Sequence, residues 1–424
     1  MTAPDVAQAD RVPNPGHLHG GWLPRHESAG MRSWVERTLR APRTTLAPSV
    51  QALGTYLEYT GLGSCLAGSG IDDLDTLLHG LNTALTQAPA FMGDDLIGLP
   101  FTALLAGIDP ARGGITPFQL PILNLLMSSI LQEWCAFLES AASNTGFRID
   151  GEGWLSPAAR AHYDFPLWKK ESGSLPYWPS WHAFFTRTFI DRDVARPVAD
   201  PASNATVISP NDGALLGWDS GLSRTRTFWF NHQQCSLADI FSSPIAAQQA
   251  MLDAFGLAAL FEGGYLFQTC LRPCDFQRWW APVDGEVLFD PIAIPGRFFD
   301  GPNLPDANGA TAASLPRLAR INARGLIVLR TEDHGHVCCI PLGLSEAANI
   351  AFDPGLKRGA RLRKGQEMGM FNCGGASFAI LHEKLPGKEL IFVNGQGAPY
   401  PQRPVQPGGD VALIGSRIGV WQRR

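Results

Sequence analysis

GMFNCGGASFAILHE, residues 369–383, holds the reading that decides the fold. Met370 and Phe371 lead into a glycine pair, Gly374 and Gly375, and an apolar run from Phe378 to Leu381 follows Ala376 and Ser377. Short apolar runs on either side of glycines are the mark of a β-hairpin. The same texture extends in both directions. From about Thr206 onward, runs such as TFWF, YLFQTCLR, GLIVLR, HVCCIPLGL and LIFV alternate with Gly, Pro and Asp turns.

Upstream the pattern changes to helical spacing. Ile71, Asp72, Asp73 and Leu74 open an amphipathic segment running to about Gln87, with acidic residues where a helix N-terminus favours them. Thr116-Pro117 reads as a cap followed by proline at the first helical position. Apolar residues then recur at 122, 123, 126, 127, 130, 131, 134 and 138. Ser180 is placed to cap a short helix over WHAFFTRTFI. The expected fold is α+β, with a helical N-terminal domain over 1–195 and a β-rich domain over 196–424.

Composition narrows the function. With 45% hydrophobic and 17% charged residues, the 424-residue chain is an ordered globular protein. A net charge of −5 and no basic run argue against a nucleic-acid partner. Polar residues Gln119, Asn124, Ser128, Ser129, Gln132 and Glu133 interrupt the most apolar region, so no membrane span is expected. The start lacks a signal-peptide pattern, and the eight cysteines show neither CxxC nor zinc spacing. Free thiols, no metal site and a cytoplasmic location are the expectation.

Six stretches in order resemble the phosphatidylserine decarboxylase family: FFTRTFIDRDVARPV (184–198), VISPNDG (207–213), LRPCDFQRWWAPVDGEV (271–287), IPGRFF (294–299), GHVCCIPLGLSEAANI (335–350) and KGQEMGMFNCGGASFAIL (364–381). The N-terminal half, with NTALTQAPAFMGDDLIG and GWLSPAARAHY, looks more like the soluble branch that acts on free amino acids, including tryptophan. The resemblance implies a self-cleaving enzyme. In the family a serine hydroxyl attacks the preceding carbonyl, and elimination leaves a pyruvoyl group that serves as the electron sink for loss of CO2. An aspartate and a histidine assist.

Carried over residue by residue, the family aspartate falls on Asp212, which is present. The two family histidines fall on Gln277 and Trp280, and the cleavage serine on Ala376. Alanine offers no nucleophile, an indole accepts no proton, and an amide does not titrate near neutrality. Ser377 lies one residue on, where an extended chain turns its side chain to the opposite face. Asp212 is open to two readings, a surviving catalytic group or a turn aspartate bonded to its own backbone.

Three functional readings follow. In the first, the chain is unprocessed and without a covalent cofactor, its pocket put to new use on a small amino-acid-derived metabolite. Asp212, Gln277 and Trp280 would act there, with Trp279, His336, Cys373, Gly374, Gly375 and Ala376 around them. In the second, Ser377 takes over cleavage and the chain is a pyruvoyl-dependent decarboxylase of aromatic amino acids. In the third it binds without catalysis. Cys373 reads as a small core residue before a replacement nucleophile, and Lys364 as a solvated turn lysine.

Overall fold

A computed structural model of the chain describes residues 29–63, 71–92, 95–97, 100–105, 121–151, 153–161, 178–230, 233–271, 275–296, 323–343, 349–374, 377–401 and 411–423. The helical part holds α1 (Ala29–Leu39), α2 (Pro48–Thr60), α3 (Leu74–Ala84), α4 (Pro100–Leu105), α5 (Pro121–Glu139), α6 (Pro157–Ala161), α7 (Trp181–Phe185) and α8 (Arg192–Ala195). A small hairpin, β1 (Ala90–Met92) and β2 (Asp95–Ile97), interrupts it. Local chemistry explains the boundaries. Asp73 accepts the Thr76 N–H at 2.7 Å and starts α3, whose Leu77, Leu78, Leu81 and Ala84 face the core. Pro48 opens α2, and Gly61 closes it in the left-handed region at φ 69°. Ser180 caps α7 through the Ala183 N–H, but that helix ends at Phe185, well short of the run WHAFFTRTFI. Thr116-Pro117 lies outside the described residues.

The β-rich part begins where the texture changes, with β3 (Thr206–Ile208), β4 (Gly213–Ser220), β5 (Phe228–Phe230) and β6 (Gln233–Cys235). Three helices not foreseen in the sequence follow: α9 (Leu237–Ile240), α10 (Ala246–Ala254) and α11 (Leu257–Leu260). Then come β7 (Tyr265–Cys270), β8 (Arg278–Trp280), β9 (Gly285–Val287), β10 (Ile292–Ile294), β11 (Arg324–Arg330), β12 (His336–Leu342) and β13 (Ile350–Phe352). The chain ends with β14 (Arg361–Leu362), β15 (Glu367–Phe371), β16 (Ser377–His382), β17 (Lys388–Phe392), β18 (Val411–Ala412) and β19 (Arg417–Arg423).

A nine-stranded antiparallel sheet in the order β14-β9-β11-β12-β16-β7-β4-β18, with β10 beside β11, organises this part. The expected hairpin over 369–383 does not form. β15 pairs with β13 and β8 in a three-stranded sheet, whereas β16 pairs with β12 and β7 in the large one. The glycine segment therefore carries the chain from one sheet to another. Gly369 shows why the first sheet packs so closely. A Cβ there, at φ 154°, would come within 2.4 Å of the Trp279 ring and 2.3 Å of the Ala351 carbonyl.

The large sheet is covered on both faces, which explains the continuous apolar runs of its central strands. Phe267, Ile327, Leu329, Cys339, Phe378 and Ile380 join a main core that continues into the helical part through Leu53, Leu81, Trp134, Trp154 and Phe184. Leu266, Val328, Cys338, Ile340, Ala379 and Leu381 face a second core with Leu237, Ile240 and Phe261 from α9 and the α11 end. No helix among the described residues is long and apolar enough to cross a membrane.

Lys364 corrects its expectation. It is buried, and its ammonium donates to the carbonyls of Asp200, Ser203 and Thr206, tying the start of the β-rich part to the β14–β15 turn.

His382 is fully buried at the far end of β16, edge-on to Trp421, and burial pushes its pKa down to about 3, with nearby His334 adding to the effect. The folded state thus refuses a proton that the unfolded chain accepts at its ordinary value of 6.5. The stability this neutral ring confers is complete above pH 6.5 and is lost as pH falls toward 3. Urea unfolding of the native chain and of His382→Phe at pH 7.5 and 5.5 should differ in pH slope by about 1.4 kcal/mol per unit below pH 6.5. Parallel slopes would contradict the buried neutral ring.

Candidate functional site

Five strands end together at one edge of the large sheet. The register sets Ala214 beside Cys270, Cys270 beside Ser377, Ser377 beside Leu342, and Leu342 beside Arg324. Ser377 is the first residue of β16, and strand alternation places it on the face of Ala379 and Leu381, toward the second core. Phe378 and Ile380 take the other face.

Asp212 precedes β4 at this same edge, and one of its partners, Ile414, belongs to the main core. Arg196 holds it with two donors, Nε at 3.0 Å to Oδ1 and Nη2 at 2.7 Å to Oδ2, and the Ile414 N–H adds a bond at 2.8 Å. Both side chains are about 7% exposed. Burial pushes the Asp212 carboxyl up from its ordinary range, and the Asp275 carboxylate nearby pushes the same way; the Arg196 and Ile414 bonds oppose this. The bonds that Asp212 makes run to Arg196 and Ile414, so it is not a turn aspartate satisfied by its own neighbours. Its neighbour Asn211, fully buried, receives the Thr269 hydroxyl and donates to the Asp212 carbonyl.

The stretch 275–280 lies alongside. The Trp280 N–H donates to the Pro210 carbonyl, which brings β8 against the Asp212 turn. Its indole is 5% exposed in the main core, 6.4 Å from the Phe189 ring. Phe189 in turn stacks on Phe276 at 3.6 Å and lies under the Arg196 guanidinium. Gln277 is fully buried, its Nε2 3.3 Å from the Asp275 carbonyl, and its own carbonyl accepts the Phe371 N–H. Trp279 packs between Phe352, Phe371 and Phe378, and its indole N–H finds no partner among the described residues. Asp212, Gln277, Trp279 and Trp280 are therefore brought together, as side chains of a packed interior.

Cys373 is buried too. Its thiol is hydrogen-bonded with Cys135 of α5 and with the Asn349 side chain, and the Cys135 contact together with burial pushes its pKa far up. That is the environment of an inert core thiol. Gly374, at φ 155°, opens the crossing between the sheets; Gly375 and Ala376 lie outside the described residues. His336 does not join the group. It starts β12, whose far end, about 20 Å along the strand, is the Leu342 that pairs with Ser377. There it bonds Glu383 at 2.8 Å.

One residue was passed over in the sequence. His182, on α7, places Nε2 2.6 Å from the Asn372 side-chain oxygen, immediately before Cys373. The two are 190 positions apart, and nothing in the local pattern of either joins them. Asn372 also donates its N–H to the Asn349 carbonyl. Beside Asn349 opens a cavity of about 510 Å3, bounded by α5, the end of β10 and the start of β11.

The comparisons agree with this architecture. A family model described as phosphatidylserine decarboxylase matches residues 181–398, and a second with the same description matches 63–163. The chain belongs to the phosphatidylserine decarboxylase family. Decarboxylase iboD of Amanita muscaria is 28% identical over 67% of this chain and 83% of its own length. An L-tryptophan decarboxylase of Psilocybe cubensis is 26% identical over 74% of each chain. A phosphatidylserine decarboxylase proenzyme of Pseudomonas aeruginosa is 26% identical over 57% of this chain and 80% of its own. The similarity to the two fungal decarboxylases thus covers more of the chain, as the N-terminal half suggested.

Within this family fold, the Asp212–Arg196 pair makes a sharp prediction. Arg196→Leu should cost about 3–5 kcal/mol in urea unfolding, because it strands a buried carboxylate; Asp212→Asn alongside Arg196→Leu should recover part of that loss. Iodoacetamide at pH 8 should leave Cys373 unlabelled in the folded chain and label it in urea, read by peptide mass.

Proposed function

We propose that this chain is a member of the phosphatidylserine decarboxylase family that neither cleaves itself nor carries a pyruvoyl group, and that it handles a small amino-acid-derived metabolite without a covalent cofactor. The observation that carries this reading is the position of Ser377. Its side chain shares the second-core face with Ala379 and Leu381, whereas Trp280, at one of the positions the resemblance assigns to a histidine, belongs to the main core. Among the described histidines, His334, His336 and His382 belong to the opposite end of β12 and β16, and His182, which lies at the glycine segment, is bonded to the Asn372 side chain. Alanine at 376, with neither Gln277 nor Trp280 able to act as a base, supports the reading that no pyruvoyl group forms.

Asp212, Gln277 and Trp280 would orient the ligand's surroundings more than touch it, since each is buried and bonded within the fold. The Asp212–Arg196 pair also favours a second reading, in which the protein binds its metabolite and leaves it unchanged. Conversion of the acid, followed by mass spectrometry of a reaction mixture with free aromatic amino acids, separates the two.

The intact mass of the purified chain tests the shared premise. A single species at 45.9 kDa is expected. Two chains, the smaller beginning at Ser377 with a blocked, ketone-reactive end, would overturn the proposal and restore an amino-acid decarboxylase of the kind that the fungal relatives' names describe.

A further inference from the structure

The 510 Å3 cavity touches the same segment from the other side. Asn349 on its rim accepts the Asn372 N–H through its carbonyl and bonds the Cys373 thiol through its side chain. Ile350 pairs with Phe371, and Arg324 on the opposite wall pairs with Leu342, the strand neighbour of Ser377. The cavity thus lies between the end of β10 and the starts of β11 and β13, with α5 on another side, and shares β11 with the candidate site. Its volume falls within the range of small-molecule sites.

Its lining is one-sided in charge. Leu125, Ile294, Pro295 and Ile350 supply apolar walls, Asn124, Ser128 and Asn349 supply neutral polar groups, and the described lining residues include an arginine and no carboxylate. Arg324 stays protonated at neutral pH, since burial lowers its pKa only to about 10 while Cys235 and the Asp239 carboxylate, outside the lining, act the other way. Its Nε and Nη2 hold the carbonyls of Ile240, Asp239 and Ser242, so its charge is fixed in place. Ser128 has a hydroxyl to give. Its neighbour Ser129 back-bonds to the Leu125 carbonyl, as helix serines do, whereas Ser128 makes no hydrogen bond among the described residues. The Asn349 amide has two donors and two acceptor sites, more than its thiol contact uses.

We propose that this cavity is a binding site for a small carboxylic acid with an apolar body, and that it discriminates against amines. Donors from Ser128 and the Asn349 amide, in the fixed positive field of Arg324, suit a carboxylate. An ammonium group would find no counter-charge among the described lining residues and would lose its water against that same field. The inference rests on the reading given under Proposed function and adds the class of ligand.

A matched series tests it: 3-phenylpropionate, 3-phenylpropionamide and 3-phenylpropylamine, titrated by calorimetry at pH 7 into the full chain. The acid should bind at least tenfold tighter than the amine, with the amide between them. Ser128→Ala should weaken the acid three- to tenfold, and Ser128→Trp, which fills the cavity, should abolish binding while thermal melting shows the fold retained. Equal or tighter binding of the amine, unchanged acid binding in both Ser128 variants, or no binding of any of the three would overturn the assignment. Intact mass on the same preparation keeps the two proposals apart. A single uncleaved species with no acid binding ends this inference alone, whereas a cleaved chain ends the unprocessed reading whatever binds.

Discussion

Strand β16 is buried on both faces, and the alternation that follows from it governs everything at the sheet edge. A residue on a strand between two cores has no third choice; it faces one or the other. Ser377 faces the second core because Ala379 and Leu381 do. A one-residue slip would put Phe378 and Ile380 into the space fitted to smaller side chains and is excluded by packing across both neighbours, β7 and β12. The hydroxyl next to Ala376 is thus held on its face by the whole central sheet.

The same edge is stabilised from outside by buried charges that are fully committed. Arg196 joins the 191–198 segment to the Asp212 turn, and Lys364 joins the β14–β15 turn to the carbonyls at 200, 203 and 206. Each group has left water, and each is compensated by several short bonds, without which burial would be costly. Arg324 does the same for the carbonyls of α9. These anchors position the strand ends but leave little freedom for proton transfer within the interior. The cavity proposed above as a binding site opens on the side of α5, beside Asn349 and Ser128.

A scaffold of this family can keep its architecture while residues at its chemical positions change. Gln277 and Trp280, which the resemblance sets at histidine positions of the family, are buried in the interior. The helical part takes part in that interior. α5 meets the glycine crossing through Cys135 and Cys373, and α7 meets it through His182 and Asn372.

Much of the local structure was legible in the residues themselves. Asp73 and Ser180 act as caps because their side chains reach a backbone N–H three positions on, a contact within a few residues. The change of texture near Thr206 and the apolar runs of β7, β11 and β12 are equally local. Position by position, the sequence alone also determined the absence of a serine at 376 and of histidines at 277 and 280. What it could not determine was partnership. A glycine between two apolar runs serves a hairpin or a crossing between sheets, and only the pairing of β15 with β8 and of β16 with β7 decided for the crossing. Lys364 read as solvated because its three carbonyl partners lie some 160 residues away. His336 read as part of the pocket around Asp212, Gln277 and Trp280 because strand polarity is invisible until the register is known. Local hydrogen bonds and side-chain periodicity are written in neighbouring residues, whereas burial and long-range pairing exist only once the chain has folded onto itself.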